Sequence, residues 1–139
     1  MTATENLKVL YVEDDLSSRQ IMELIFKRIL KIRDVTILSN SEAFPTVLNN
    51  HVGVADMVFL DIHIKPYDGY EMLEIIRQNA RWKHVTVIAL TASVLAHEVE
   101  DLKNAGFNGL IGKPINPDFF PDFFRQIMAG TEVWNPSWD

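Results

Sequence analysis

Five short apolar runs, separated by segments with helical periodicity, constrain the fold of this chain more than any other feature. Within the longer segments, apolar residues recur every three to four positions, as on one face of a helix. Strands joined by crossover helices must run parallel, and such crossovers are right-handed. The pattern therefore predicts an α/β domain with one five-stranded parallel sheet and helices on both faces. The predicted strands comprise residues 8–12, 35–38, 55–60, 85–90 and 109–111.

The intervening segments carry the signals of helix ends. Asp15 is a candidate N-cap for a helix over residues 16–32, and Gly106 is a candidate C-cap. The other predicted helices comprise residues 41–50, 68–79, 95–105 and, after a short turn at 116–119, 120–129. The folded unit is predicted to occupy residues 7–129, between tails at 1–6 and 130–139. Trp134 and Trp138 of the second tail either fold back on the domain or dock elsewhere.

Length and composition limit the classes of function. The 139 residues fit one domain, and the net charge of -6 argues against nucleic-acid binding, which needs a basic surface. The absence of cysteine excludes disulfides, cysteine-based zinc sites and a thiol nucleophile. The polar N-terminus does not look like a signal peptide, and the apolar runs are too short to span a membrane. We therefore expect a cytoplasmic protein without a membrane partner.

Acidic residues follow two of the predicted strands. Glu13 and Asp14 come after the first strand and Asp61 after the third, so all three are expected at the edge where open α/β sheets bind ligands. Two like charges about 4 Å apart repel by roughly 4 kcal/mol at an effective dielectric near 20. A close cluster therefore predicts a cation site, and hard carboxylate oxygens suit Mg²⁺. Alternatively, these acids cap helices or are solvated in loops.

A hydroxyl and an amine follow the other two strands at the same predicted edge. Thr91 ends the fourth strand, where its hydroxyl could donate to a phosphoryl oxygen or act as a local cap. Lys113 follows the fifth strand, where its ammonium could pair with Asp61 or be solvated. An aspartate can also act as a nucleophile toward phosphorus. Each residue is a weak signal alone, and the specificity comes from their joint order.

With these motifs in place, the chain resembles the receiver domain of two-component response regulators, the CheY-like family, over residues 7–129. The resemblance implies a doubly wound, flavodoxin-like sheet with strand order 2-1-3-4-5. The motifs that carry it are Val12-Glu13-Asp14-Asp15, Phe59-Leu60-Asp61, Asp68-Gly69-Tyr70-Glu71, Leu90-Thr91-Ala92 and Lys113-Pro114.

The resemblance implies a role for each residue of the edge. Asp61 would accept a phosphoryl group from a phosphohistidine on a sensor histidine kinase or phosphotransfer protein. Mg²⁺ would be held directly by Asp14 and Asp61, mainly through water by Glu13, and by the backbone carbonyl of His63. Lys113 would neutralise the phosphoryl oxygens, and Thr91 would move to bond one of them.

The resemblance also implies a switch. Phosphorylation would alter the face formed by the fourth helix, fifth strand and fifth helix, which would contact an unknown downstream protein or a second copy in a homodimer. Leu110 stands three residues before Lys113, where the family usually has an aromatic switch residue. Leu110 either replaces the aromatic residue in this switch or abolishes the switch. The implied protein is a stand-alone receiver that promotes only its own phosphorylation and dephosphorylation, and is not a turnover enzyme.

Two other functions remain as alternatives. One is an interaction module with a receiver fold that works without phosphorylation, although such modules usually lack the Asp or the Lys that are both present here. The other is an Mg²⁺-dependent phosphatase with an aspartate nucleophile. Such enzymes commonly carry a second aspartate two residues further on, where this chain has His63.

Overall fold

The central sheet is built from parallel strands in the order β2-β1-β3-β4-β5-β6. The computed structural model describes residues 6–51, 53–92 and 95–135, and all six strands lie within these ranges. The five predicted strands and their order are confirmed, and β6 is an addition from within the predicted tail at 130–139. The strands are β1 (Lys8–Val12), β2 (Asp34–Leu38), β3 (Met57–Asp61), β4 (Thr86–Thr91), β5 (Gly109–Gly112) and β6 (Trp134–Asn135). Trp138 lies outside the described residues.

Among the described residues, five α-helices connect the strands, close to the predicted positions. They are α1 (Leu16–Leu24), α2 (Phe44–Asn50), α3 (Gly69–Gln78), α4 (Ala96–Ala105) and α5 (Phe120–Met128). Asp15 caps α1 by accepting from the backbone N–H of Ser18 at 2.9 Å, and Gly106 caps α4 with a left-handed φ of 108°. Within the described ranges, no helix combines the length and apolar character needed to cross a membrane.

The first predicted helix, over residues 16–32, differs from the structure in its second half. After α1 the chain continues as a π-helical segment, Ile25–Ile29, in which the Leu30 N–H donates to the Ile25 carbonyl at 2.8 Å. Ile25, Phe26 and Leu30 are all buried. Apolar spacing did not distinguish this wider turn from an α-helix, because neighbouring stripes of apolar residues are buried in both cases.

The sheet separates two apolar cores. Leu10 and Val12 of β1 lie in the core beneath α2, α3 and α4, whereas Val9 and Tyr11 lie in the core beneath α1 and α5. Successive strand residues point to opposite faces, so both sets become buried when helices cover both sides. The polar ends of the strands therefore project from the sheet's edge rather than from its faces.

The loop after β3 returns closely against the strand it leaves. The N–H of Gly69, the first residue of α3, donates to the carbonyl of Ile62 at 3.0 Å. A Cβ at Gly69 would lie 2.8 Å from the Cα of Ile62 and 2.5 Å from its Cδ1. Because one of these atoms belongs to the backbone, a side chain at this position would push α3 away from the end of β3.

We expect Gly69→Ala to lower the free energy of unfolding by roughly 1–3 kcal/mol through this overpacking. Urea denaturation measures the change. Glu74→Ala, at an exposed position on α3, is the control and should change stability by less than about 0.5 kcal/mol. Equal stability of Gly69→Ala and wild type would contradict the close approach.

Candidate functional site

The strand ends bring the predicted site residues to one edge of the sheet. Asp61 is the last residue of β3 and pairs with Leu90, and Thr91, the last residue of β4, pairs with Gly112. Glu13 and Asp14 directly follow β1, and Lys113 directly follows β5. Parallel pairing of four neighbouring strands thus places all five side chains at their common carboxyl edge.

Lys113 forms the central ionic contacts of this edge. Its Nζ donates to Glu13 Oε1 at 3.1 Å and Oε2 at 3.0 Å, and lies 3.4 Å from Asp61 Oδ1. Glu13 is fully buried, and the Lys113 side chain is 15% exposed. The sequence predicted that Lys113 could pair with Asp61, and the structure shows that its shortest contacts are to Glu13. The ammonium therefore offsets the charge of both buried carboxylates.

Three carboxylates cluster beside this ammonium. Glu13, Asp14 and Asp61 each offer one oxygen, and these oxygens all lie within 4.8 Å of one another. Glu13 and Asp61 are buried, whereas Asp14 is exposed. The cluster consequently opens to solvent on the Asp14 side. A donor set made of hard carboxylate oxygens fits Mg²⁺, which takes one or two protein carboxylates and keeps several waters.

Burial and like charge oppose the ionisation of Asp61. Desolvation and the neighbouring Glu13 carboxylate raise the pKa of Asp61 to about 8, and Lys113 counteracts only part of this shift. For Lys113 itself, burial works against the charged form, but the carboxylates of Glu13 and Asp61 dominate and raise its pKa. The edge is therefore short of positive charge when Asp61 is ionised.

Tyr11 is a part of the site that the sequence reasoning missed. Its hydroxyl donates to Glu13 Oε1 at 3.2 Å inside the core, and burial, followed by the charge of Glu13, raises the pKa of Tyr11. Strand residues two apart share a face, so the spacing of Tyr11 and Glu13 was a usable signal. Tyr11 and Lys113 together hold the Glu13 carboxylate from two sides.

Ser41 is a second residue that the sequence reasoning missed. Its buried hydroxyl donates to the Tyr67 carbonyl at 2.7 Å and accepts from the Tyr67 N–H at 2.8 Å. Both bonds fix the loop that follows Asp61. These hydrogen bonds join residues that are 26 apart in the chain, and no local sequence pattern indicates them.

The remaining predicted residues have defined positions. The His63 N–H donates to Asp61 Oδ1 at 3.3 Å, while its side chain is exposed. Thr91 is buried, and its carbonyl accepts from the Lys113 N–H at 2.9 Å. Leu110 is buried in β5. The His63 carbonyl as a ligand and the switching roles of Thr91 and Leu110 stay predictions.

The raised pKa of Asp61 predicts a pH-dependent stability in the absence of metal. Between the unfolded pKa of about 3.9 and the folded value, the folded state holds a proton that the unfolded chain has released. Stability should therefore fall with rising pH across this window, by up to about 1.4 kcal/mol per pH unit. Asp61→Asn removes the titrating group and should flatten this slope.

Urea denaturation in a chelator from pH 4 upward measures this slope. Asp101→Asn, at an exposed position on α4, is the matched control and should keep the wild-type slope. Parallel curves for wild type and Asp61→Asn would contradict the penalty on Asp61.

Comparison with known proteins places this geometry in a family. The family model of the response regulator receiver domain matches residues 9–122. Hybrid signal transduction histidine kinase A of Dictyostelium discoideum is 34% identical over 113 residues, which are 78% of this chain and 5% of the kinase. Probable methanogenesis regulatory protein FilR2 of Methanothrix harundinacea is 27% identical over 138 residues, which are 96% of this chain and 87% of that protein. The chain thus spans a small part of one relative and most of the other.

Solved structures show the same arrangement of strands and helices. The receiver domain of a sensor histidine kinase from Pseudomonas aeruginosa, which has a magnesium ion coordinated in its active site cleft, superimposes with a TM-score of 0.75 at 26% identity, covering 90% of this chain and 98% of that chain. Chemotaxis response regulator CheY4 of Vibrio cholerae shares the fold, with a TM-score of 0.75 at 21% identity and coverage of 87% and 98%. Since the family model matches most of its length, this chain belongs to the response regulator receiver domain family.

Proposed function

We propose that this domain is the phosphoacceptor of a two-component phosphorelay, with Asp61 as the residue that is phosphorylated. The observation that carries the proposal is the position of the Lys113 ammonium, 3.4 Å from Asp61 Oδ1 and 3.0 Å from Glu13 Oε2. This places a fixed positive charge beside a buried aspartate at the ligand-binding edge of the sheet. Receiver domains are signalling domains, and the proposed output is a change of protein contacts rather than a released product.

The transfer needs positioning and charge stabilisation more than covalent help. A carboxylate oxygen of Asp61 attacks the phosphorus of a phosphohistidine, the phosphorus–nitrogen bond breaks, and its electron pair stays on the imidazole. The product is an acyl phosphate on Asp61. Lys113, whose Nζ lies 3.4 Å from Asp61 Oδ1, is proposed to offset the charge of the phosphoryl oxygens. The Thr91 hydroxyl, at the end of the neighbouring strand, is proposed to donate to one of them.

The carboxylate cluster is proposed to hold Mg²⁺ during this reaction. Asp14 and Asp61 would bind the ion directly, Glu13 mainly through water, and the His63 backbone carbonyl would add a ligand. The bound ion would supply positive charge for the phosphoryl oxygens. The exposed Asp14 lies on the side from which an ion can enter, whereas Lys113 keeps Glu13 paired within the core.

The proposed donor is a sensor histidine kinase or a phosphotransfer protein. Two of the similar proteins support this choice, because one is named a hybrid signal transduction histidine kinase and the other is a receiver domain within a sensor histidine kinase. The proposed downstream contact is a protein surface, or a second copy of the domain, at the face formed by α4, β5 and α5.

Incubation with Mg²⁺ and acetyl phosphate should add one acid-labile phosphoryl group to Asp61, because a small donor can replace the phosphohistidine. Intact-mass spectrometry detects the adduct. Asp61→Asn should abolish it, whereas Asp101→Asn, which makes the same chemical change at an exposed position on α4, should keep it.

The outcomes separate the three functions. One adduct that disappears in Asp61→Asn supports the phosphorelay. A folded wild-type protein that forms no adduct supports an interaction module that works without phosphorylation. Continuous release of phosphate from phosphoesters supports the aspartate phosphatase.

Removal of Asp14 should weaken Mg²⁺ binding by more than about tenfold, because an oxygen ligand is lost from a site with few protein ligands. NMR titration that follows the backbone amides of Ile62 and Lys113 measures the affinity in Asp14→Ala. The control is Asp15→Asn, since Asp15 is the adjacent acid and caps α1 through Ser18. Equal affinities in Asp14→Ala and wild type would contradict the assignment of Asp14 as a ligand.

A further inference from the structure

The segment that follows α5 occupies the open edge of β5. In a sheet of five strands, the outer side of β5 would present unpaired backbone groups, and such an edge readily pairs with another extended chain. Here the Leu110 N–H donates to the Val133 carbonyl at 2.9 Å, and Leu110 and Ile111 pair in parallel with Trp134 and Asn135. A strand of the same chain therefore occupies the edge of β5 that another extended chain could otherwise bind.

Two side chains anchor this segment on opposite faces of the sheet. Val133 is buried in the core shared with α1 and α5. Trp134 packs against the core beneath α4, and the Nζ of Lys103 lies over its ring, 5.2 Å from the ring centroid. The segment thus contributes an apolar residue to one face of the sheet, on the side of α5, and an aromatic residue to the other, on the side of α4.

The absence of a side chain at Gly109 leaves room for the backbone of this segment. A Cβ at Gly109 would lie 2.7 Å from the Val133 carbonyl oxygen, and its other close neighbour would be the flexible end of Ile88 at 3.0 Å. A side chain here would therefore clash mainly with the backbone of the incoming strand. The left-handed turn at Gly130, with φ of 90°, directs the chain from α5 toward this edge.

We propose that residues 131–135 are a built-in competitor for the β5 edge, which otherwise accepts an extended peptide. The peptide that fits runs parallel to β5 and carries an apolar residue followed by an aromatic residue, as Val133 and Trp134 do. A protein partner with such a segment binds by strand addition and must displace the chain's own strand. This inference is independent of phosphorylation at Asp61.

The test uses the full chain and a labelled synthetic peptide with the sequence of residues 131–135. Val133→Ser/Trp134→Ala removes both anchors and should free the edge. The freed variant should bind the peptide at least about tenfold more tightly than wild type does, because in wild type the attached strand competes at high effective concentration. Fluorescence anisotropy measures the binding.

Gly109→Ala in the freed variant is the matched control. The added Cβ should abolish peptide binding, because it fills the space that the strand's carbonyl needs. Hydrogen exchange at the Leu110 amide gives a second readout. Exchange should be slow in wild type, faster by at least about tenfold in the freed variant, and slow again after the peptide is added. Amides of β1 and β3 should stay protected in every variant, which reports that the domain is folded.

If the double variant does not fold, Trp134→Ala alone replaces it in both measurements, since this variant keeps Val133 in the core. Several results would each overturn the proposal. They are equal peptide binding by wild type and the freed variant, absence of binding by both, and Leu110 exchange that does not change when the anchors are removed. Leu110 protection that rises with protein concentration would also overturn it, because the strand would then come from a second copy.

Discussion

The ammonium of Lys113 between two buried carboxylates is the contact on which the site depends. Glu13 and Lys113 lie 100 residues apart in the chain, and the parallel sheet brings them to within 3.0 Å. Without this positive charge, Glu13 and Asp61 would face each other in a poorly solvated space, and the pKa of Asp61 would be raised still further. Tyr11 adds a hydrogen bond to Glu13 and so helps to keep that carboxylate in place. The sheet that forms the core therefore also brings together the charged side chains of the site.

The three acids differ in burial, and therefore in their freedom to move and in how far their charge is offset. Glu13 is held by Lys113 and Tyr11 and has little freedom to move, whereas Asp14 is exposed. Asp61 lies between these extremes, because it is buried but its charge is only partly offset. A carboxylate whose ionisation is penalised gains the most from added positive charge. The edge is thus suited to bind a cation, which would offset the negative charge that Lys113 leaves uncompensated.

The residues at the strand ends were predictable because each interrupts an apolar run with a charge or a hydroxyl. Asp61 and Lys113 are examples. The alternating pattern predicted five parallel strands, whereas their order came from the family resemblance. Ser41 was not predictable, since it acts through a loop 26 residues away and looks like any small polar residue. The π-helical turn at Ile25–Ile29 was hidden because its apolar spacing also suits an α-helix. Strand β6 was missed because two residues are too few to show a period, so its position depends on tertiary contacts alone.

Strand β6 adds two residues to the face formed by α4, β5 and α5. Leu110 stands where an aromatic residue is usual in the family, and its neighbour across the strand pair is Trp134. An aromatic side chain is therefore present on this face, but it comes from another strand and contacts Lys103 of α4. Any shift of α4 relative to β5 must move Lys103 relative to Trp134 or carry both together. The cation–π contact therefore links the edge strand to α4, and the face formed by α4, β5 and α5 includes this chain's own added strand.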